Sequence, residues 1–305
     1  MILLRIGIAS HIVLDTIKDA KGKVTESVGG PPCYCGFTAR RFGFDVELFT
    51  KVGPDFVQQS ILQDNDINMP ERNFDSNNMT TRFLLEADGE ARKLVLKAKC
   101  SAISEQDVQK AKVDCWLVNP VIDEIPPNVL AAIKKNKGKK NFVMLDPQGY
   151  MRIADPQGNI SLLDRLDIDL SGITAIKVDG QEMAAVTGGL QGTEGMRFIQ
   201  SKGAEFVLAT EHRIVHLLHK DMHYWIKLRQ VDAPDATGVG DILASAFACS
   251  YLREKDPLWA ICFSAGALRA ALETKQTGLA KVPQYSKIES SASYFYNTVG
   301  FEDLT

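Results

Sequence analysis

Apolar, strand-like runs alternate with helix-like stretches along almost all of this chain, and no other feature constrains its fold as strongly. The strand-like runs cover 3–9, 46–51, 115–119, 142–146, 175–178 and 206–210. The helix-like stretches cover 32–42, 55–64, 105–111, 128–134, 180–187, 193–201, 241–254 and 258–272. Strand–helix–strand repetition predicts an α/β fold around a parallel sheet. Each strand-to-helix turn then falls at one end of that sheet, where ligands of open α/β folds collect. Two stretches, 12–30 and 79–99, break the alternation and read as antiparallel strands. Within the second, 82–86 and 92–97 flank the turn Ala87-Asp88-Gly89-Glu90, a hairpin signal. A hairpin inserted into such a chain either caps a site or is a surface excursion of the sheet. No repeat, linker or low-complexity tract interrupts the sequence, so residues 1–305 are expected to form one domain.

Composition narrows the partners. A formal net charge of -3 gives no electrostatic case for nucleic acid or an anionic membrane. No apolar run reaches the roughly 18–20 residues that cross a bilayer. The first residues, Met-Ile-Leu-Leu-Arg-Ile-Gly-Ile, read as a buried strand rather than a leader peptide. Six cysteines (33, 35, 100, 115, 249 and 262) have no paired metal spacing, which suits free thiols in a reducing cytoplasm.

Chemistry concentrates in Asp235-Ala236-Thr237-Gly238-Val239-Gly240-Asp241, just ahead of a small-residue helical run, 242–248. Two glycines at a helix start let the backbone turn tightly and aim free N–H groups at one point. The helix dipole adds to them, making an anion seat. An acid inside such a seat suits proton transfer: Asp241 would take a proton from a substrate hydroxyl while the amides of Gly238, Val239 and Gly240 hold a phosphoryl group. The competing reading is an ordinary Gly-rich loop capped by Asp. The chain has no G-x-x-x-x-G-K-[ST] loop and no protein-kinase motif set. Gly7-Ile8-Ala9-Ser10 does not supply a dinucleotide fingerprint.

The segment 235–241 resembles the D-T-x-G-A-G-D signature of the ribokinase-like (PfkB) carbohydrate and nucleoside kinases, with Ala236 and Val239 as small departures. Other family-like segments follow in the expected order. Gly29-Gly30-Pro31-Pro32 is similar to the family's N-terminal Gly-Gly turn, which brings backbone against substrate hydroxyls. Tyr34 stands where the family often has Asn, a hint of a different polyol or ring. Asp15, just past the first strand, matches an acid that accepts bonds from hydroxyls in these kinases. Asp179 and Glu182 resemble the N-x-x-E motif that orders magnesium mostly through water, although an acid pair at a helix start is also capping chemistry. Asp146-Pro147-Gln148-Gly149-Tyr150-Met151-Arg152 resembles a loop of archaeal-type members, with Arg152 directed at phosphate or substrate, or is simply a turn. Asn119-Pro120-Val121-Ile122-Asp123-Glu124-Ile125-Pro126 is similar to another recurrent family loop, a resemblance that would place Asn119 in the substrate cleft.

The resemblance implies a three-layer α/β/α sandwich with a mostly parallel central sheet and a small β lid from 12–30 and 79–99. It also implies ATP with Mg²⁺, an alcohol acceptor (polyol, sugar or nucleoside), and a homodimer through the lid. Asp15, Gly29, Gly30, Tyr34, Asn119 and Arg152 would face the acceptor. Lys177, Asp179, Thr210, Thr237, Gly238, Gly240 and Gly266 would lie on the nucleotide side, and Asp179 and Glu182 at the metal. Near Thr210 the family's T-x-G-x-x-G is replaced by Thr210-Glu211-His212-Arg213, without its glycines. A cyclic polyol such as myo-inositol ranks first as acceptor, ahead of a nucleoside or a fructose- or ribose-type sugar. A ligand-binding protein that has lost turnover is the alternative from another class.

Overall fold

Alternating burial along short strands organises the molecule. The structure is a computed structural model that describes residues 4–18, 24–88, 91–136, 142–231, 233 and 235–305. Its strands are β1 (Arg5–Ala9), β2 (Val13–Lys18), β3 (Val24–Gly29), β4 (Asp45–Phe49), β5 (Thr81–Asp88), β6 (Ala91–Ala98), β7 (Cys115–Val118) and β8 (Phe142–Leu145). They continue with β9 (Arg152–Ala154), β10 (Ile160–Leu162), β11 (Ala175–Asp179), β12 (Phe206–Glu211), β13 (Ile214–His219), β14 (Met222–Lys227) and β15 (Gly300–Asp303). A nine-stranded sheet runs β15-β14-β13-β12-β11-β8-β7-β1-β4, parallel from β4 to β12 and antiparallel beyond.

Because side chains alternate faces with period two, each strand feeds two cores. Ile6, Ile8, Cys115, Leu117 and Phe142 face one layer, formed by helices Pro31–Arg41, Val239–Glu254, Pro257–Glu273 and Tyr285–Tyr296. Trp116, Val118, Val143, Leu145 and Ile176 face the other, formed by Pro127–Lys135, Gly180–Thr187 and Gly192–Ser201. This is the expected three-layer α/β/α sandwich with a mostly parallel sheet. All six cysteines are buried free thiols. Among the described residues no helix is long and apolar enough to cross a membrane.

The second sheet, β3-β2-β5-β6, is the lid. Its outer pairs are antiparallel, as expected, but the central pair β2/β5 is parallel. No hairpin joins these two strands, since a long crossover separates Lys18 from Thr81, and so their direction is free. Residues 89 and 90 of the expected hairpin turn lie outside the described residues. Val13 and Phe83 pack the lid onto Val121 and Ile122 of the body. His11, fully buried, staples the lid root: its Nδ1 meets Thr81 Oγ1 at 2.7 Å and its Nε2 meets Ser101 O at 2.9 Å.

Other expectations are corrected. The helix expected over 55–64 shrinks to Gln59–Gln63. Asp55 leaves helical geometry to serve the lid, accepting from Thr80 N and Oγ1, both at 2.8 Å, and from Arg82 at 3.3 Å. The antiparallel strands β13, β14 and β15 and the helix Tyr285–Tyr296 were not expected. Between β12 and β13, His212 (φ 46°) and Arg213 (φ 66°) form a left-handed two-residue turn. His212 stands at the first of the two missing glycine positions, whereas the second falls on Val215, buried within β13.

Gly266, expected beside a nucleotide, backs onto the helix Tyr285–Tyr296. A Cβ there would lie 2.8 Å from Ile288 O and 2.9 Å from Ala292 N, so glycine is required by helix packing. Gly266→Ala should therefore lower stability by about 1–3 kcal/mol, read as a shifted urea midpoint; an unchanged midpoint would refute the packing role.

Candidate active site

The loops after β1, β7, β8 and β11, the end of β12 and the start of the helix Val239–Glu254 converge at the carboxyl end of the parallel strands. They enclose a cleft of about 490 Å³ roofed by Phe83, Leu85 and Leu94 of the lid. Asp15, Gly30, Tyr34, Asn119, Arg152, Lys177, Asp179, Thr210, Thr237, Gly238, Val239, Gly240 and Asp241 all line it. The sequence therefore named residues that the fold gathers from far apart. A neighbouring cavity of about 1110 Å³, between the lid and Asp55, Gln58 and Leu279, shares Asp15, Tyr34, Leu85 and Thr237 with the cleft. It lacks Asp241 and the helix start, which line only the smaller space.

Local backbone makes the anion seat. Gly238 caps the helix in the left-handed region, φ 72°, and a Cβ on it would overlap the Tyr34 ring. The first helical bond is Ile242 N to Gly238 O at 3.0 Å, which leaves the Gly240 and Asp241 N–H groups free at the helix start. Lys177 Nζ lies 3.3 Å from where a Gly240 Cβ would stand, so glycine also admits the ammonium. On the acceptor side, Gly30 has φ 83°, and a Cβ there would meet His11 O at 2.6 Å. Gly29 lies beneath Asp15 and Tyr34, at contact distances of 3.5 and 3.3 Å from its Cβ position.

Asp241 accepts a 3.1 Å hydrogen bond from Asn119 Nδ2. Burial, then the neighbouring Asp146, push its pKa up to about 7, although the Asn119 bond, Lys177 and Arg152 pull the other way. Burial also raises Asp15 to about 6, with Arg152 opposing and Asp235 reinforcing. Lys177 is buried and paired with Asp146 at 3.0 Å and Glu182 at 3.3 Å. Burial alone would lower its pKa, but those carboxylates outweigh it and keep the ammonium charged. Arg152 donates to Val121 O at 3.0 Å and lies over the Phe83 ring, between lid and floor.

Asp179 and Glu182 form a reciprocal capping box. Asp179 Oδ1 accepts from Glu182 N at 2.8 Å, and Glu182 Oε2 accepts from Asp179 N at 2.7 Å. Capping does not consume both acids, since Glu182 Oε1 is buried without a partner. Asn119 Oδ1 is likewise unpartnered. Burial raises Glu182 to about 7.

Three contributors escaped sequence reasoning. Asp146 had been noticed only as part of a turn, yet it pairs with Lys177 and presses on Asp241. Glu124, fully buried, accepts from His11 N at 3.0 Å, Val121 N at 2.9 Å and Ile122 N at 2.8 Å, tying the loops after β1 and β7 together. Lys281, also buried, pairs with Asp235 at 2.7 Å. A buried acid or lysine is visible in sequence only as an exception to an apolar pattern; Asp146 closes the apolar run 142–146 but was read as a turn former, and Glu124 and Lys281 stand in no such run.

A family model described as "pfkB family carbohydrate kinase" matches residues 6–284. A fructokinase of Klebsiella pneumoniae is 25% identical over 252 residues, spanning 78% of this chain and 81% of that protein. Among solved structures, a pyrophosphate-dependent kinase in the ribokinase family, complexed with a pyrophosphate analog and myo-inositol, superposes with a TM-score of 0.79 at 22% identity. That match covers 94% of this chain and 99% of the other. A fructokinase from Vibrio cholerae O395, in a form bound to fructose, ADP and calcium ion, has a TM-score of 0.76 at 16% identity, covering 95% and 99%. These two structural likenesses establish the fold.

The raised pKa of Asp241 has a consequence for stability. Its carboxyl favours folding below the pKa of the unfolded chain, and that contribution is lost as pH rises through about 7. Asp241→Asn should then raise Tm by roughly 4–8 °C at pH 8 and by less at pH 5. An equal shift at both pH values would show that Asp241 does not titrate in this range.

Proposed function

Since the chain belongs to the pfkB family of carbohydrate kinases, whose members phosphorylate an alcohol of a sugar or polyol, we propose that it transfers the terminal phosphoryl group of ATP to a small cyclic polyol of the myo-inositol type, with Asp241 as general base. One observation carries this reading: a carboxylate with a pKa near 7 stands in the first turn of a helix whose N–H groups are free beside it. A base needs a pKa close to working pH, and a phosphoryl group needs donors where its charge gathers.

The acceptor lies between Asp15, Gly30 and Tyr34, under Phe83 and Leu85. Asp15 and the unpartnered Asn119 Oδ1 accept bonds from its hydroxyls, which holds the reacting oxygen near Asp241. Asp241 removes that proton, and the oxygen attacks the terminal phosphorus in line. The Gly240 and Asp241 amides, with Lys177 and Arg152, receive the developing charge. Leu85 and Leu94 exclude water and so favour transfer to the alcohol over hydrolysis. A magnesium ion would be held by Asp179 and the free Oε1 of Glu182 and would neutralise phosphate oxygens. Among the described residues no third metal-binding acid, His or Cys joins them, so water would complete the coordination.

Support for the acceptor is the myo-inositol complex of the ribokinase-family neighbour; the fructokinase relatives favour fructose as the second choice. A second reading of the donor also has a specific observation behind it. The β12–β13 turn carries His212 where the family's motif has its first glycine, the second falls on buried Val215, and the same neighbour is pyrophosphate-dependent. Inorganic pyrophosphate would need the helix start and Lys177 but no base-binding surface.

Activity should be measured with myo-inositol, fructose, ribose and nucleosides as acceptors, each with Mg-ATP and with Mg-pyrophosphate. The expected result is a phosphorylated cyclic polyol, formed at a rate that rises with pH through about 7. Asp241→Asn should reduce kcat by roughly 100- to 10,000-fold with little change in KM. A flat pH profile together with a fully active Asn variant would remove Asp241 from the base role. Product from pyrophosphate alone would reassign the donor.

A further inference from the structure

The signature turn is held from behind by a lysine that does not touch the cleft. Lys281 closes the short 3₁₀ helix Gly278–Lys281, and its side chain is completely buried. Its Nζ sits 2.7 Å from Asp235 Oδ2 and 3.4 Å from Asp235 O, so both the carboxylate and the backbone of the first signature residue face it. Asp235 passes the restraint on in two directions. Its Oδ1 accepts from Thr237 N at 2.8 Å, one residue ahead of the left-handed Gly238, and its Oδ2 accepts from Gly278 N at 2.8 Å. The same ammonium lies 5.3 Å from the centre of the Tyr34 ring, on which Gly238 rests. One cation thus meets the support of the anion seat and the wall of the acceptor site. A lysine this deep is costly to bury unless it is paired, and its partner is a residue of the signature itself.

We infer that Lys281 is a positioning residue for the phosphoryl seat: its ammonium fixes Asp235, and Asp235 fixes the backbone that presents the Gly240 and Asp241 amides. This rests on the reading of the helix start as a phosphoryl seat. Without the ammonium, Asp235 is left charged with only two amides to hold it, the 235–238 segment relaxes, and the amides lose their common aim.

The test uses inorganic pyrophosphate as probe, titrated by calorimetry into the full chain, so that no acceptor need be known. Wild type should bind. Lys281→Ala should bind roughly 5- to 100-fold more weakly, and n-propylammonium chloride, which fits the vacated side-chain space, should restore affinity where sodium chloride at equal ionic strength does not. Wild-type affinity in Lys281→Ala, or equal effects of the two salts, would overturn the inference. Should Lys281→Ala fail to fold, the charge-free pair Asp235→Asn with Lys281→Met keeps the packing and should fold. It too should bind pyrophosphate more weakly, and wild-type affinity there would equally overturn the role of Lys281. No binding by wild type would reject the phosphoryl seat itself, and this inference with it.

Discussion

Four carboxylates meet where the parallel strands end, and a single ammonium makes that crowding tolerable. Asp146, Asp179, Glu182 and Asp241 come from the ends of β8 and β11 and from the starts of two helices, and all four act on Lys177 or on one another. Lys177 pairs directly with Asp146 and Glu182 and presses its charge toward Gly240. Take the ammonium away, and two buried acids lose their partner while repulsion within the group grows. Asp241 feels the residual imbalance. It is near enough to the cation to ionise at neutral pH, yet buried enough and close enough to Asp146 to hold its proton strongly. A carboxyl group of intermediate acidity is the product of that opposition, and neither burial nor the lysine alone would supply it.

The parts of the site that were legible in the sequence are those in which backbone does the binding. Gly238 and Gly240 declare themselves because only glycine fits a left-handed cap over Tyr34 or leaves room for Lys177. Gly30 is legible for the same reason. Asp15, Asn119 and Arg152 could be placed because they follow strands, and the ends of parallel strands share one edge. Where chemistry depends on a long-range partner, the sequence falls silent. Asp146 reads as a turn former, and nothing local announces Lys177 as its counterion. Lys281 pairs with a residue 46 positions away, from inside a stretch with no periodic pattern. Gly266 is ambiguous in another way, since a small residue serves a helix contact as readily as a ligand.

The fold shows the same division. Core strands were recognisable as short apolar runs because both of their faces are buried. The antiparallel extension β13–β15 carries His216, His219, His223 and Lys227, which dilute its apolar pattern, and its turn lacks glycine. The lid strands were legible as strands, but their pairing was not. Parallel alignment of β2 and β5 is set by how both meet the body at Val121 and Ile122, a tertiary condition no window of sequence contains.

His11 gives the lid a mechanical character. The chain passes between body and lid near residues 11, 81 and 100, and the His11 imidazole bonds to Thr81 and Ser101 while the backbone N–H of His11 donates to Glu124. Strands sharing one rivet cannot peel away separately. The roof over the cleft is therefore tied to the body at one root, and Glu124, which also holds the loop beside Asn119, anchors that root. Any displacement of the lid that moved His11 would therefore also pull on the bonds that Glu124 makes to Val121 and Ile122 beside the cleft.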